Sequence, residues 1–238
     1  MKIVILGYGK MGRTIEEVAL KRRHEIAWKI DVDNRQKLHQ VNASNSDIII
    51  EFSQPEAAVD NIKWALEQKI PMVCGTTGWL DQWDEIVQLY QEKNGTLFYA
   101  SNYSIGVNIF FKLNQQLAGM MKQYTDYHIE LEEIHHTQKK DAPSGTAITL
   151  AQGIFQHNPI KKSWINETTQ DPSQLGIISK REDAVPGTHT ITYSSEVDNL
   201  EIKHTAHSRK GFALGAVMAA EWVIDKKGVL GMEDFLAK

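Results

Sequence analysis

Apolar residues in the first hundred positions occur in short runs separated by segments of helical periodicity. Such runs, rich in β-branched residues, predict buried strands at 2–6, 25–30, 47–52, 71–75 and 96–101. Apolar positions three or four residues apart predict amphipathic helices at 11–23, 55–69 and 80–93. Strands that alternate with helices indicate a parallel sheet covered on both faces. The region is therefore predicted to be a Rossmann-like α/β domain with a doubly wound parallel sheet.

The pattern changes after residue 103. Residues 128–136 indicate a strand whose alternation slips near Glu133, and residues 158–187 are polar with few periodic positions. Helices are predicted at 105–123 and 144–155, and a β-hairpin at 188–195 and 199–208. This mixture indicates a second, α+β domain.

A final apolar helix is predicted at 212–224 and is expected to return to the first domain. We therefore predict one domain formed by 1–103 with 208–238, and a second formed by 104–207.

Bulk properties narrow the class of protein. The formal net charge is −4 and no basic block is present, which argues against a nucleic-acid partner. Cys74 is the single cysteine, so no intramolecular disulfide can form, as is usual in a reducing cytosol. The apolar run after Met1 is too short for a signal peptide or a membrane span. A cytoplasmic protein without a membrane partner is expected.

The turn "GYGKMG" carries the first candidate chemistry. Gly7, Gly9 and Gly12 have the G-x-G-x-x-G spacing, directly after a predicted strand and at the start of a predicted helix. In a dinucleotide site the first glycine permits a tight turn, the second lets the backbone approach a pyrophosphate, and the third lets helix and strand pack closely. The pyrophosphate would lie at the helix N-terminus.

Asp31 stands at the end of the second predicted strand, 19 positions after Gly12. A carboxylate there can accept hydrogen bonds from a ribose diol. The alternative is that Asp31 only ends the strand, but the order of strand, glycines, helix and acid favours cofactor binding. Asp31 favours NAD because it repels a 2′-phosphate, but Lys10 and Arg35 are near enough in sequence to neutralise one. NADH and NADPH both remain possible.

Two more polar turns follow predicted strands, "GTTG" at 75–78 and "ASNYS" at 100–104. They lie where open parallel sheets bind ligands, but two ordinary turns would have the same pattern. Cys74 suggests a rival enzyme, a dehydrogenase with a thiol nucleophile. A lone cysteine that ends an apolar strand is more often a small buried hydrophobe.

The stretch "HHTQKKDAPSGTA" at 135–147 concentrates titratable groups. Adjacent strand residues point to opposite faces, so His135 and His136 are poorly placed to chelate one metal, and no metal site is expected. A histidine can exchange a proton near neutral pH, and Lys139 can stabilise negative charge.

The same stretch ends at a predicted helix start. Ser144 is a plausible N-cap, and Gly145 and Thr146 would expose N–H groups that can hold a carboxylate or phosphate. From these residues alone, a solvated loop before a capped helix is an equally good interpretation.

The segment "EEIHHTQKKDAPSGTA" closely resembles the motif of the 4-hydroxy-tetrahydrodipicolinate reductase (dihydrodipicolinate reductase) family. "GYGKMG", "EFSQPEAA", "GTTG", "ASNYSIGVN" and "LEIKHTAHSRKGFALGAV" resemble further segments of the family, so the resemblance covers nearly the whole chain. It implies NAD(P)H-dependent reduction of a cyclic dicarboxylate to tetrahydrodipicolinate in lysine and diaminopimelate biosynthesis. The partner is then a small dicarboxylate, and a homo-oligomer, a tetramer in the family, is expected.

The resemblance also assigns residues. It implies that His135 donates and accepts the proton, Lys139 is a second donor, His136 contacts the substrate, and Gly145 and Thr146 hold a carboxylate. It implies cofactor contacts by Gly7, Tyr8, Gly9, Lys10, Met11, Gly12, Asp31, Gly75, Thr76, Thr77, Ala100, Ser101, Asn102 and Tyr103. The first domain would bind the dinucleotide, and the second would bind substrate and form the oligomer.

Two departures from the family pattern stand out. Only residues 189–199 separate Thr188 from "LEIKH", which implies a shortened second domain and bears on the subunit interface. Val32 follows Asp31 where some members have an arginine for a 2′-phosphate. The alternatives to the reductase are a Cys74-dependent NAD(P) dehydrogenase and a non-enzymatic NAD(H)-binding sensor.

Overall fold

The computed structural model describes residues 1–208 and 210–237. The chain divides into two compact units, one formed by Met1–Ile105 with Lys210–Lys238 and the other by Gly106–Arg209. Arg209 and Lys238, which fall within the predicted segment 208–238, lie outside the described residues. No helix of the described chain is long and apolar enough to cross a membrane.

The first unit is built on a six-stranded sheet in which all neighbouring strands are parallel. Its strands are β1 (Lys2–Leu6), β2 (Glu25–Ile30), β3 (Ile48–Glu51), β4 (Met72–Cys74), β5 (Thr96–Tyr99) and β11 (Gly228–Leu230). Their order across the sheet is β11-β5-β4-β3-β1-β2. The five strands predicted in this region are confirmed, and β11 adds a sixth that the sequence pattern did not indicate.

Helices cover both faces of this sheet. They are α1 (Lys10–Lys21), α2 (Pro55–Glu67), α3 (Trp83–Glu92), α6 (Lys210–Val223) and α7 (Met232–Leu236), with short 3-10 helices at Val32–Gln40 and Leu80–Gln82. Ile3 and Ile5 of β1 belong to one apolar cluster with residues of α1 and α6, whereas Val4 and Leu6 belong to another with residues of α2 and α3. Because both faces are buried, the strands are continuous apolar runs, as in doubly wound folds.

The second unit contains a five-stranded mixed sheet of order β10-β9-β6-β8-β7. Its strands are β6 (His128–His135), β7 (Ser163–Ile165), β8 (Gln174–Arg181), β9 (Gly187–Ser194) and β10 (Asn199–Ala206). Strand β6 pairs parallel with β8 and antiparallel with β9. The predicted hairpin is confirmed as β9 and β10, which are joined by residues 195–198.

Two helices, α4 (Ile105–Met121) and α5 (Gly145–Phe155), contribute to the core of this unit. Phe110 of α4 and Leu150 of α5 belong to the same buried cluster as Leu131 of β6, Ile177 of β8 and Ile191 of β9. The two-domain α/β and α+β prediction is therefore confirmed at the level of fold class.

The sequence pattern missed two features of the second unit. Strands β7 and β8 lie in the segment 158–187, where a short apolar run at Leu175 and Ile177 is buried against the sheet. The predicted slip of β6 near Glu133 was wrong. Burial alternates regularly along the strand, and Glu133 and His135 simply occupy inward positions that are usually apolar.

We expect Gly215→Ala in α6 to lower the free energy of unfolding by about 1–3 kcal/mol, because small-to-large changes in packed sites cost that much. A Cβ at Gly215 would lie 1.7 Å from the backbone oxygen of Tyr103. Equilibrium urea denaturation measures the change. The matched control is Gly211→Ala in the same helix, where the new Cβ would meet only Ser104 Oγ at 3.8 Å. Equal stability of the two variants would contradict the packing argument.

Candidate active site

The glycine turn has the shape that a pyrophosphate requires. Gly7 has a φ of +86°, and a Cβ there would lie 2.1 Å from the backbone oxygen of Phe52. A Cβ at Gly12 would lie 2.3 Å from the oxygen of Gly7. At Gly9, by contrast, a Cβ would meet no atom within 4 Å in the part of the chain that the structure describes. Gly7 and Gly12 are therefore required by internal packing, whereas Gly9 leaves its backbone open to a ligand.

Helix α1 begins directly after this turn. Gly9 is its N-cap in an extended conformation, no side chain among the described residues caps the helix, and its first turn contains no acidic residue. The N-terminal N–H groups and the helix dipole favour a bound anion at such a site. The residues present thus fit a dinucleotide pyrophosphate.

Asp31 is fixed beside the glycine turn. Its Oδ2 accepts a hydrogen bond from Tyr8 N at 3.0 Å, and its Oδ1 accepts one from Val32 N at 2.8 Å. A carboxylate has about four acceptor sites, so both oxygens can still accept a ribose hydroxyl. The tertiary structure brings Asp31 and the turn together, as the sequence spacing predicted.

A polar cluster next to this turn was not predicted. Tyr8 OH donates to Glu16, and Lys29 Nζ lies 2.9 Å from the other oxygen of Glu16. The hydrogen bond to Glu16 raises the pKa of the Tyr8 phenol and lowers the pKa of Glu16. Tyr8 is therefore held by α1 and β2 on the rim of the predicted cofactor site.

The two polar loops after β4 and β5 converge on Phe52. A Cβ at Gly75 would lie 2.2 Å from the Phe52 ring, and the Tyr103 ring centroid is 5.5 Å from that of Phe52. Thr76 Oγ1 accepts a hydrogen bond from Ser53 N at 2.8 Å. Phe52, which the sequence analysis did not single out, thus links the loops that follow β1, β4 and β5.

The predicted cofactor residues differ in exposure. The Tyr103 side chain is buried and donates to Cys74 O at 2.7 Å, so any cofactor contact there involves its backbone. Ala100 and Thr76 are also buried. The exposed or half-exposed members are Tyr8, Gly9, Lys10, Met11, Asp31, Gly75, Thr77, Ser101 and Asn102.

Cys74 is poorly suited to act as a nucleophile. It is fully buried, and its Sγ lies 3.1 Å from Glu51 Oε2. Burial raises the pKa of the Cys74 thiol well above its usual value, and the charge of Glu51 raises it further. Because the thiolate is the reactive form, this environment argues against the Cys74-dependent dehydrogenase.

The stretch 135–147 forms the second candidate site, in the second unit. His135 is the last residue of β6, and α5 begins at Gly145 after an intervening loop. Ser144 is the N-cap of α5, and its Oγ accepts a hydrogen bond from Ala147 N at 3.2 Å. A Cβ at Gly145 would meet no atom of the described residues within 4 Å, so among these residues the helix start is open to an anion.

A buried carboxylate that the sequence analysis did not select lies behind this loop. Glu133 is fully buried, and both its oxygens accept from Ser144 N at 3.1 Å. Ser179 Oγ donates to Oε1 at 2.7 Å, and Arg181 Nη2 lies 3.7 Å from Oε1. Burial raises the pKa of Glu133, but interactions with His189, Ser144 and Ser179 outweigh it and lower the pKa to about 2. Glu133 is therefore ionised at neutral pH.

His135 lies against this carboxylate. The residue is 7% exposed, its Nδ1 lies 3.5 Å from Glu133 Oε2, and its ring packs edge-on against His189 at 5.0 Å between centroids. Burial lowers the pKa of His135, as does His189, while Glu133 raises it; the net pKa is about 4. The imidazole is consequently neutral at neutral pH when the site holds no anion.

The remaining predicted residues lie on the loop that follows β6. Lys139 Nζ donates to both carboxylate oxygens of Asp141 at 2.8 Å, and half-buried His136 is the first residue after the strand. Arg181 of β8 donates from Nη2 to Asp141 O at 2.6 Å. The structure thus brings His135, Lys139 and the α5 start into one polar region, with Arg181 as an additional cation.

Glu133, His135 and His189 also place one potential metal-binding atom each within 4.8 Å of one another. These residue types bind zinc in other proteins. Here the guanidinium of Arg181 lies against the same carboxylate, whose oxygens already accept from Ser144 and Ser179. We therefore interpret the group as a site for proton and anion chemistry, and the absence of a metal stays a prediction.

Comparison with known proteins assigns the family. Residues 1–103 match the model of the dihydrodipicolinate reductase N-terminus, and residues 106–236 match that of its C-terminus. The chain belongs to the dihydrodipicolinate reductase family. It is 50% identical over 238 residues to the 4-hydroxy-tetrahydrodipicolinate reductase of Christiangramia forsetii, covering 100% of this chain and 98% of the relative. It is 34% identical over 251 residues to that of Methanoregula boonei, covering 99% and 97%.

A solved structure supports the fold. Dipicolinate-bound dihydrodipicolinate reductase from Paenisporosarcina sp. TG-14 superimposes with a TM-score of 0.81 at 22% identity, over 99% of this chain and 100% of that one. The family match confirms the predicted oxidoreductase, with NADH or NADPH as its cofactor. It also disfavours the sensor and the thiol-dependent dehydrogenase.

We expect Cys74→Ser to leave kcat within about twofold of wild type, because a buried thiol with a raised pKa contributes no nucleophile. A serine hydroxyl can still donate to Glu51. Steady-state oxidation of reduced nicotinamide measures kcat, and titration with a thiol reagent in native and urea-unfolded protein checks that Cys74 is inaccessible. Abolished turnover in a folded variant would restore the thiol mechanism.

Proposed function

We propose that this chain reduces 4-hydroxy-tetrahydrodipicolinate to tetrahydrodipicolinate with NADH or NADPH, a step of lysine and diaminopimelate biosynthesis. In this proposal the loop 135–147 binds the substrate and transfers the proton. The family match gives the reaction. One observation supports this use of the loop above all: a buried neutral imidazole, a lysine and an open helix N-terminus occur within thirteen residues. That combination suits a dianionic ring that must gain a proton.

The cofactor is proposed to bind the first unit. Its pyrophosphate would lie over Gly9 at the start of α1, and Asp31 would accept the ribose hydroxyls. Backbone groups of the loops 75–77 and 100–103 would border the nicotinamide, which supplies the hydride when bound. The open backbone at Gly9 supports this placement.

Cofactor preference is proposed to be broad. The Asp31 carboxylate disfavours a 2′-phosphate, while Lys10 and Arg35 are exposed cations on the adjacent helices. Opposite charges near one site reduce discrimination between NADH and NADPH, so we expect both to serve.

The substrate is proposed to bind the second unit through its carboxylates. The N–H groups of Gly145 and Thr146, with the Thr146 hydroxyl, would hold one carboxylate at the start of α5. Lys139 would neutralise negative charge on the ring and serve as a second donor, while His136 would contact the substrate. The open position at Gly145 supports the approach of a ligand.

His135 is proposed to exchange the proton. Its pKa of about 4 means that the resting imidazole is neutral. Nearby negative charge favours the protonated form, so a bound dianion raises this pKa and prepares the ring to donate. Protonation is then coupled to substrate binding, so the ring carries the additional proton only when the dicarboxylate is bound.

Assembly and location complete the proposal. We propose a homo-oligomer formed through the second unit, where Leu200 and Val197 on the β9–β10 hairpin are exposed. The single cysteine fits a reducing cytoplasm.

The proposal is tested by stopped-flow absorbance at the reduced nicotinamide band. Substrate is generated in place by the preceding synthase, and NADH and NADPH are supplied in turn. Substrate-dependent oxidation of either cofactor is expected. If the protein binds a dinucleotide but does not oxidise it in the presence of substrate, the proposed reductase activity is contradicted and an NAD(H)-binding sensor is favoured.

We expect His135→Gln to reduce kcat by roughly 10²–10⁴, the usual contribution of a positioned acid or base. Cofactor affinity should change little because all the residues proposed to contact the cofactor belong to the first unit, whereas His135 belongs to the second. Kinetics of the variant and fluorescence titration with NADH measure the two effects. Activity close to wild type would remove His135 from the mechanism.

Lys139→Ala is expected to lower kcat and raise KM for the dicarboxylate together, because a cation that contacts the ring acts on both bound substrate and transition state. Lys140→Ala is the matched control, since Lys140 is the adjacent exposed lysine. Initial rates at varied substrate concentration separate the two parameters. Equal effects of the two substitutions would show that only general positive charge matters.

A further inference from the structure

Glu133 is a buried carboxylate to which the proposed function assigns no role. We propose that Glu133 is a positioning residue: its carboxylate orients the His135 imidazole so that the ring's Nδ1–H points toward Glu133. The other ring nitrogen, Nε2, is then the atom that exchanges the proton with substrate. This inference rests on the proposed function and adds a residue to it.

The carboxylate is itself rigidly held. Ser144 N donates to both oxygens and Ser179 Oγ donates to Oε1. These contacts come from the α5 start and from β8, while Glu133 belongs to β6. A group fixed by two neighbouring elements can orient a third, as second-layer partners of functional histidines do.

The Nδ1 atom of His135 lies close to the Glu133 carboxylate. It is buried and makes no hydrogen bond within the described chain, and Glu133 Oε2 lies 3.5 Å from it. A carboxylate facing one ring nitrogen favours the tautomer that carries its hydrogen there. A small closing movement on substrate binding would make this contact a full hydrogen bond, since catalytic hydrogen bonds often tighten in the complex.

The other nitrogen faces a glycine. A Cβ at Gly187 would lie 3.1 Å from His135 Nε2, so any larger residue there would crowd this atom. The absent side chain keeps space beside Nε2. The two sides of the ring are thus distinct, with a fixed carboxylate at Nδ1 and an open backbone position near Nε2.

Glu133 differs from the other charged groups around His135 in its effect on the pKa of the imidazole. Lys139 on the following loop, Arg181 of β8 and His189 of β9 all lower the pKa of His135, and Glu133 is the group that raises it. Removing the Glu133 charge must therefore lower the pKa of His135. If turnover requires the protonated ring, the limb where kcat falls with rising pH moves to lower pH.

The first test needs no variant. Long-range 15N–1H correlation NMR of the wild-type protein reports the tautomer of each histidine, with His135→Gln used to assign the signal. We expect His135 to carry its hydrogen on Nδ1 at neutral pH. A ring with its hydrogen on Nε2 would overturn the proposal, whether or not the chain proves to be a reductase.

The second test is kinetic. Glu133→Gln should lower kcat by roughly 10- to 100-fold, the usual effect of losing such a partner. It should also move the descending limb of the kcat–pH profile to lower pH. The matched control is Glu132→Gln, because Glu132 is adjacent on β6 but pairs with Lys180 at 2.5 Å and faces away from His135. The control should retain the wild-type profile.

Three outcomes of the kinetic test are distinguishable. Unchanged kcat and pH profile in Glu133→Gln would overturn the proposal while leaving the reductase intact. A raised KM for the dicarboxylate with an unmoved profile would also overturn it, because that result assigns Glu133 only to supporting the α5 start. A wild-type enzyme without activity would refute the proposed function instead, and the NMR result alone would then decide the tautomer. Should Glu133→Gln fail to fold, the wild-type NMR experiment remains decisive.

Discussion

The second unit depends on one buried negative charge. Glu133 lies on the core face of β6 and accepts hydrogen bonds from the start of α5 and from β8. An unpaired charge at this depth would cost several kcal/mol, so the surrounding donors are a condition of the fold. One of these donors, Ser144 N, belongs to the 135–147 loop, so the carboxylate also anchors the end of that loop. Structure and site chemistry therefore share one constraint.

The first unit depends on a different constraint: backbone and side-chain atoms lie so close to certain glycines that no Cβ can be accommodated there. Gly7, Gly12 and Gly75 each occupy a place where a Cβ would overlap a neighbouring atom, and Phe52 is the neighbour for two of them. Parallel strands put the loops that follow them at one edge of the sheet, so these contacts gather the predicted cofactor residues there. In this unit the candidate site is formed mainly by backbone groups and small residues, whereas in the second unit it is formed by charged and titratable side chains.

Much of this arrangement could be predicted from sequence because it is local. The five apolar runs of the first domain, the glycine spacing and the Ser144 cap each depend on neighbouring residues, and all occur in the structure. Strand β8 was missed because its apolar run is short and is buried by partners distant in sequence. The alternation of β6 was misinterpreted because Glu133 and His135 are polar residues at core positions, and pattern alone gives no sign of their partners.

The sequence by itself determined the fold class, the family and the stretch that carries the candidate chemistry. Local periodicity and motif spacing depend on residues that are close together in the chain, so they can be recognised without a structure. Tertiary structure alone decided that Glu133 is ionised, that His135 is neutral at rest and that Cys74 is shielded. Those properties come from burial and from groups distant along the chain: His189 lies more than fifty residues from Glu133 and from His135, and Glu51 lies 23 residues from Cys74. The charge state of a group depends on the residues that surround it in space, and these cannot be identified from the order of residues alone.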